Sequence, residues 1–151
     1  ATGPVLRGSG VAYDVRRAEP YSVYPEIDFI VPTSERTDAL GRYLVRIQEI
    51  EQSLAIVEQA LDQIPAGDFQ AKMPKKPKVP AGEVYFAVEG ARGKIGCYLQ
   101  SDGGSNPYRV KLRAPSFSNL SLFAELSQGT LLADAVSILG SLDLVIPEID
   151  R

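Results

Sequence analysis

Residues 83–113 read EVYFAVEGARGKIGCYLQSDGGSNPYRVKLR, and this stretch decides the fold. EVYFAVEG (83–90) and IGCYLQSD (95–102) are rich in the β-branched and aromatic side chains that suit a pleated surface. Between them lies turn chemistry, Ala91-Arg92-Gly93-Lys94. A second turn, Gly103-Gly104-Ser105-Asn106-Pro107, leads into YRVKLR (108–113), where Val110 and Leu112 alternate with Arg109, Lys111 and Arg113. Three strands joined by two short turns predict an antiparallel meander.

Outward from this sheet, helical signals stand on both sides. Leu40, Leu44, Ile47, Ile50, Leu54, Val57, Leu61 and Ile64 recur at steps of three or four, which predicts a long helix over 38–64. Thr37 or Asp38 can cap its start, and Pro65 and Gly67 stop it. The apolar stripe is expected to pack on a core, leaving Arg42, Arg46, Glu49, Gln52 and Gln59 on the opposite face. Residues 65–82 hold KMPKKPKVPAG, too rich in proline for a helix and too polar for a core, so they read as a linker. Its lysines suit acidic lipid or a partner, although such a run is more often a solvated loop. Residues 1–37 read as an extended opening segment, with a short strand at Ile27 to Val31 ended by Pro32. After the sheet, two short helices are expected near 119–128 and 131–141, the first capped by Ser118 or Asn119. The fold class is therefore α+β: a long helix, a three-stranded antiparallel sheet and short C-terminal helices.

Composition removes several functions. The 151 residues fit one domain or part of a larger one, and 44% hydrophobic with 23% charged is ordinary for a globular chain. A net charge of −3 argues against a nucleic-acid partner, which usually needs a basic face. One cysteine, Cys97, cannot form an internal disulfide, and there is no histidine, so self-contained zinc, haem or iron-sulfur chemistry lacks its ligands. The opening ATGPVLRGSG has neither an apolar leader nor an initiator Met and reads as a cut within a longer protein. The most apolar stretch, Leu131 to Ile146, is broken by Asp134 and Asp143 and falls short of the ~20 apolar residues a membrane span needs.

No nucleotide-binding loop or serine-hydrolase elbow is present. SDGGS joins two predicted strands, whereas a phosphate site needs a helix N-terminus after the glycines. Cys97 has no histidine to activate it, so no catalytic set is expected in this chain alone. Two stretches stand out. In VEGARGKIG (88–96), glycines flank an arginine at a strand turn. In DLVIPEIDR (143–151), Asp143, Glu148, Asp150 and Arg151 are interleaved with Leu144, Val145 and Ile146. Taken alone, the first is an exposed hairpin arginine and the second a frayed end.

These stretches and their surroundings resemble the large-subunit family of nickel-iron hydrogenases and, within it, the quinone-reducing D subunits of proton-pumping NADH:quinone oxidoreductases (respiratory complex I). The resemblance runs through GPVLRGSGVAYDVRRAEPY, RYLVRIQEIEQSL, PAGEVYFAVEGARGKIGCYLQSDGGSNPYRVKLRAPSF and LLADAVSILGSLDLVIPEIDR, in that order. It implies the C-terminal half of the hydrogenase large-subunit fold. Hydrogenases carry EAPRGxLGH where this chain has EGARGKIGC, so Arg92 matches their arginine and Cys97 takes the histidine place. They end in DPCxxC, whose cysteines hold nickel and iron; here DLVIPE puts Val145 and Glu148 in those places. Valine cannot ligate a metal and one carboxylate does not replace a thiolate pair, which excludes that metal site.

The replacement matches the quinone-reducing branch, where the vacated metal cavity resembles the inner end of a quinone channel. By that resemblance, quinone is a substrate, and electrons reach it from an iron-sulfur cluster in the partner B subunit, with coupling to proton translocation. The C subunit and the membrane arm are further partners. This chain binds no cofactor itself and lies in the peripheral arm at the cytoplasmic face of the membrane. Val145 implies an apolar wall against the quinone ring, Asp143 and Glu148 charged hydrogen bonds or proton relay, Arg151 a tail anchor, and Arg92 a position near the old metal cavity. Pro147 stands where the family usually has glycine, the linker at 68–80 is shorter than in many members, and the family's quinone head-group ligands, a histidine and a tyrosine, lie in the N-terminal half. Alternatives are the same module in a deazaflavin- or ferredoxin-linked quinone reductase, or a non-catalytic scaffold or interaction domain. A chain lacking that half is expected to expose apolar surface and to associate with itself.

Overall fold

The computed structural model describes residues 1–75 and 78–150. Its central sheet is the predicted meander: β1 (Gly82–Gly90), β2 (Gly93–Ser101) and β3 (Arg109–Arg113), antiparallel in the order β1-β2-β3. Phe86 faces Cys97, Cys97 faces Leu112, and Gly90 faces Gly93 across a two-residue loop of Ala91 and Arg92. The first 37 residues are not uniformly extended. Two short helices, α1 (Gly3–Arg7) and α2 (Val15–Ala18), and a 3-10 turn (Tyr24–Glu26) fold back over the sheet and the long helix α3 (Ala39–Gln63).

The strand expected at 27–31 does not form. That segment runs along α3, and side-chain amides substitute for a neighbouring strand. Gln59 Oε1 accepts the Asp28 N–H at 2.9 Å, Gln59 Nε2 donates to the Asp28 carbonyl at 2.7 Å, and Gln52 Oε1 accepts the Ile30 N–H at 3.0 Å.

Asp38 caps α3 by accepting the Gly41 N–H at 2.6 Å, and the helix ends before Pro65, as its punctuation predicts. Its orientation reverses the expectation. The inward face carries Gly41, Arg42, Val45, Arg46, Glu49, Gln52 and Gln59, while the apolar stripe faces outward. Leu54 and Leu61 are each 66% exposed. Periodicity identifies a face that needs covering. It does not identify what covers it, and this chain's own core is small: Val5, Val15, Ile27, Phe29, Val45, Ala87, Ala114, Ile138 and Leu142. The accessible surface is 10512 Å² for 16.4 kDa, against about 7,500 Å² for a compact monomer of that mass.

Beyond the sheet come α4 (Pro115–Leu120), α5 (Phe123–Leu126), α6 (Asp134–Leu142) and α7 (Ile146–Ile149). Proline at the first turn starts α4, so neither Ser118 nor Asn119 caps it. Asn119 is buried and ties three segments together instead. Its Oδ1 accepts the Thr2 N–H at 2.9 Å, and its Nδ2 donates to the Thr2 and Arg92 carbonyls at 3.3 and 3.4 Å. α6 packs on α3, and α7 packs on α4. Pro147 occupies the first turn of α7, where its fixed φ and missing N–H suit a helix start.

Candidate functional site

The hairpin tip between β1 and β2 and the tail after α6 meet at Arg92 and Asp143. Arg92 Nε donates to the Asp143 carbonyl at 2.8 Å, and its Nη2 to Asp143 Oδ1 at 3.2 Å. The tip is closely packed, and glycine makes this possible. Gly93 has φ +123°, and a Cβ there would lie 2.7 Å from Gly3 N and from the Thr2 side chain. Only glycine lets residues 2 and 3 press this closely on the turn that carries Arg92. The Lys94 N–H also donates to Thr2 Oγ1 at 3.0 Å.

Asp143 ends α6 in the left-handed conformation, φ 53° and ψ 56°. That region costs a side-chain-bearing residue of order 1 kcal/mol and persists where surrounding contacts over-determine it. Here the determinants are Arg92 and, on the other carboxylate oxygen, Arg46 of α3, whose Nε lies 3.7 Å from Oδ2. One turn earlier on α3, Arg42 is 5% exposed and donates through Nε and Nη2 to Ser141 Oγ at 3.0 and 2.7 Å. Burial lowers the pKa of both helix arginines, opposed by Asp143 and Glu49 at Arg46 and by Asp38 at Arg42.

One buried hydroxyl ties two residues of the tail that follows. Ser116 Oγ donates to Glu148 Oε2 at 2.7 Å and accepts the Val145 N–H at 3.1 Å. Val145 is half-buried just before α7, and Glu148 lines an open cleft of about 300 Å³ with Ile95, Leu112, Arg113, Ala114, Pro115 and Pro147. A larger cleft of about 920 Å³ opens nearby, lined by β3, by α4 residues such as Phe117 and Ser118, and by Ile149. Of the sequence-predicted residues, Arg92 and Asp143 are bonded directly, while Val145 and Glu148 share Ser116. Arg92, Asp143 and Val145 line neither of these two clefts. Arg151 lies outside the described residues. Cys97 is half-buried in β2. Among the described residues, no group of three or more His, Cys, Asp or Glu side chains is placed to hold a metal ion.

A second polar centre escapes sequence reading. Arg7, 1% exposed, donates to Glu49 Oε1 at 2.5 Å, Glu89 Oε1 at 2.9 Å and the Tyr13 carbonyl at 2.9 Å, and lies 3.6 Å from Asp14 Oδ2. Arg16 clamps Asp14 at 2.9 and 2.7 Å, and the Val15 N–H donates to Glu89 Oε2 at 3.1 Å. Burial pushes the Asp14 pKa up, but the Arg16 hydrogen bonds and charge outweigh it and the net shift is downward. At Glu89 burial prevails over the Val15 amide and Arg7, and the net shift is upward. The Arg7 pairs with Glu49 and Glu89 span 42 and 82 residues, so no local motif announces them. The signal that the sequence does carry is the polar row at 42, 46, 49, 52 and 59, whose spacing is as helical as that of the apolar stripe.

Comparison with known proteins gives a consistent answer. The family model described as respiratory-chain NADH dehydrogenase, 49 Kd subunit, matches residues 1–77 and 69–151, two pieces that overlap between α3 and β1. The D 2 subunit of the NADH-quinone oxidoreductase of Opitutus terrae is 60% identical over 152 residues, covering 100% of this chain and 38% of the relative. The D subunit of the same kind of enzyme in Desulfotalea psychrophila is 58% identical over 152 residues, covering 100% of this chain and 41% of the relative. The chain thus spans about two-fifths of the length of these relatives. Alignments of 152 residues against 151 leave no room for an added linker helix, so both relatives share the short connection. A chain from the membrane-bound sulfane sulfur reductase, an archaeal respiratory membrane complex, superposes with a TM-score of 0.91 at 47% identity, over 100% of this chain and 42% of that one.

Proposed function

The chain belongs to the family of the 49 Kd subunit of respiratory-chain NADH dehydrogenase, and from that premise we propose that it shapes one wall of a quinone cavity in the full-length protein. Quinone is the substrate in this reading, reduced by electrons from the terminal iron-sulfur cluster of the B subunit, with the reaction coupled to proton translocation. The chain's own residues supply shape and charge. Val145 offers an apolar surface to the quinone ring. Asp143 and Glu148 place hydrogen-bonding charge beside it, Arg92 fixes Asp143, and Arg151 anchors the tail. The B and C subunits and the membrane arm are the partners, with this protein in the peripheral arm at the cytoplasmic face. No helix among the described residues is long and apolar enough to cross a membrane, which suits that position.

The observation that carries this reading is that the tail is fastened at both ends of its polar stretch. Arg92 grips Asp143, and Ser116 grips Val145 and Glu148. A frayed end would make no such bonds, whereas a cavity wall must hold its shape against a ligand.

A second reading is favoured by the likeness to the sulfane sulfur reductase chain: the same module with a different terminal acceptor or electron donor, including ferredoxin- or deazaflavin-linked quinone reductases. The greater identity to NADH-quinone oxidoreductase chains favours quinone. The test is Val145→Met in the complete complex. The added side-chain bulk is expected to change quinone turnover and sensitivity to quinone-site inhibitors. Unchanged values for both would remove Val145 from the cavity wall and leave the acceptor open to the second reading or to a scaffold role.

A further inference from the structure

We infer that Arg46 is the positioning residue for Asp143, holding the tail from the α3 side as Arg92 holds it from the hairpin. The inference rests on the quinone-wall reading for its functional consequence and on geometry for its structural one.

Three guanidinium groups gather at the end of α6, from Arg42, Arg46 and Arg92, and Asp143 supplies the carboxylate beside them. Arg42 commits its Nε and Nη2 donors to Ser141. Arg92 bonds the Asp143 carbonyl and one carboxylate oxygen. That leaves Oδ2 facing Arg46, whose Nε is buried, 3.7 Å away, and without a hydrogen-bond partner. A buried donor with no acceptor is costly, and a charged one more so. The acceptor nearest to hand is this oxygen, a few tenths of an ångström beyond bonding distance. Asp143 therefore sits between two arginines, bonded to one and close to the other, on a residue whose backbone is already in the left-handed region. A small movement of the tail toward α3 closes the Arg46 bond and lengthens the Arg92 bond. The position of the wall then depends on the balance between these two cations. Arg46 also feels Glu49 one turn along α3, and Glu49 is held by Arg7, so this balance is tied to the buried charge cluster under the opening segment.

The test is a double-mutant cycle in the complete complex, with Arg46→Gln, Arg46→Lys, Asp143→Asn and the Arg46→Gln/Asp143→Asn pair. Quinone KM and kcat are measured, normalised to electron input into a soluble acceptor, and thermal unfolding of the full-length protein is followed for the same variants. Arg46→Gln is expected to raise the quinone KM about fivefold while kcat changes less, with Arg46→Lys recovering most of the loss, as suits a coupling of ordinary size. In the Asp143→Asn background, the Arg46→Gln change is expected to add less than about twofold. Single effects that multiply in the pair would overturn the inference, because Arg46 would then act elsewhere. If Asp143→Asn alone leaves quinone kinetics at parental values, the quinone-wall reading falls. The positioning role is then judged on the unfolding cycle, where non-additive shifts support it and additive shifts overturn it.

Discussion

Ser116 and Glu148 are joined by a 2.7 Å hydrogen bond from a hydroxyl that also accepts the Val145 N–H. The serine is 1% exposed and lies 32 residues before the carboxylate it holds. Ser116→Ala should release both ends of this clasp and leave the half-buried Val145 amide without its acceptor, at a cost of about 1–3 kcal/mol. Amide exchange in the full-length protein should accelerate at 144–148 and stay slow in β2. Equal protection in parent and variant would show that α7 is held by other contacts.

Arg7 bridges three carboxylates that no other described cation reaches together. Arg7→Met keeps the bulk and removes the charge. Leaving Glu49 and Glu89 without their guanidinium partner, and Asp14 with Arg16 alone, should cost about 3–5 kcal/mol, more than a matched loss of apolar packing. Arg7→Lys should recover only part, because a single ammonium cannot reproduce the guanidinium fork. Denaturant unfolding of the full-length protein measures both. A lysine variant of parental stability would argue that charge alone matters there.

Asp14 and Glu89 give this cluster opposing pH dependences. The folded pKa of Asp14 is depressed, so its stabilising contribution is complete above the ordinary aspartate value of about 4 and is lost as pH falls through the folded value. The folded pKa of Glu89 is raised, so its contribution is complete below the ordinary glutamate value of about 4.3 and is lost as pH rises through the folded value. Asp14→Asn should therefore flatten the acid limb of a stability-against-pH curve below about pH 4, while Glu89→Gln should remove a decline on its alkaline side. Calorimetric scans across that range distinguish the two limbs.

The outward stripe on α3 and Val84, Tyr85 and Phe86 on β1 place many large apolar side chains on the surface of a chain whose total accessible area already exceeds that of a compact monomer of its mass. The chain by itself should associate in sedimentation velocity, and Leu54→Glu with Leu61→Glu should shift it toward monomer. A clean monomer without those changes would contradict the reading that this face awaits a cover.

Legibility in the sequence follows the range of the interactions. The sheet, the Asp38 cap and the Pro65 stop are set within a few residues, and each is visible as spacing or turn chemistry. Residues 1–37 are not, because α1 and α2 are held by Arg7, Asp14 and Glu89 across long separations, and residues 27–31 by glutamines of α3. The side of α3 that turns inward is hidden for a related reason. Hydrophobicity marks a face that avoids water without naming its cover, while in this chain the arginines and glutamines of the other face are drawn inward by polar groups far away in sequence. Arg92 and Asp143 are singled out by resemblance. Their direct bond, and the parts played by Arg46, Ser116 and Asn119, require the tertiary structure.

Among the described residues, the exposed connection between α3 and β1 enters none of these bonds to the hairpin tip, the tail or the Arg7 cluster. Loop-closure entropy rises only slowly with length, so doubling this linker would cost about 0.6 kcal/mol. It is therefore a permissive place to graft an affinity tag, a fluorophore or a crosslinking residue, giving a handle on the full-length protein that leaves the polar contacts fixing the tail untouched.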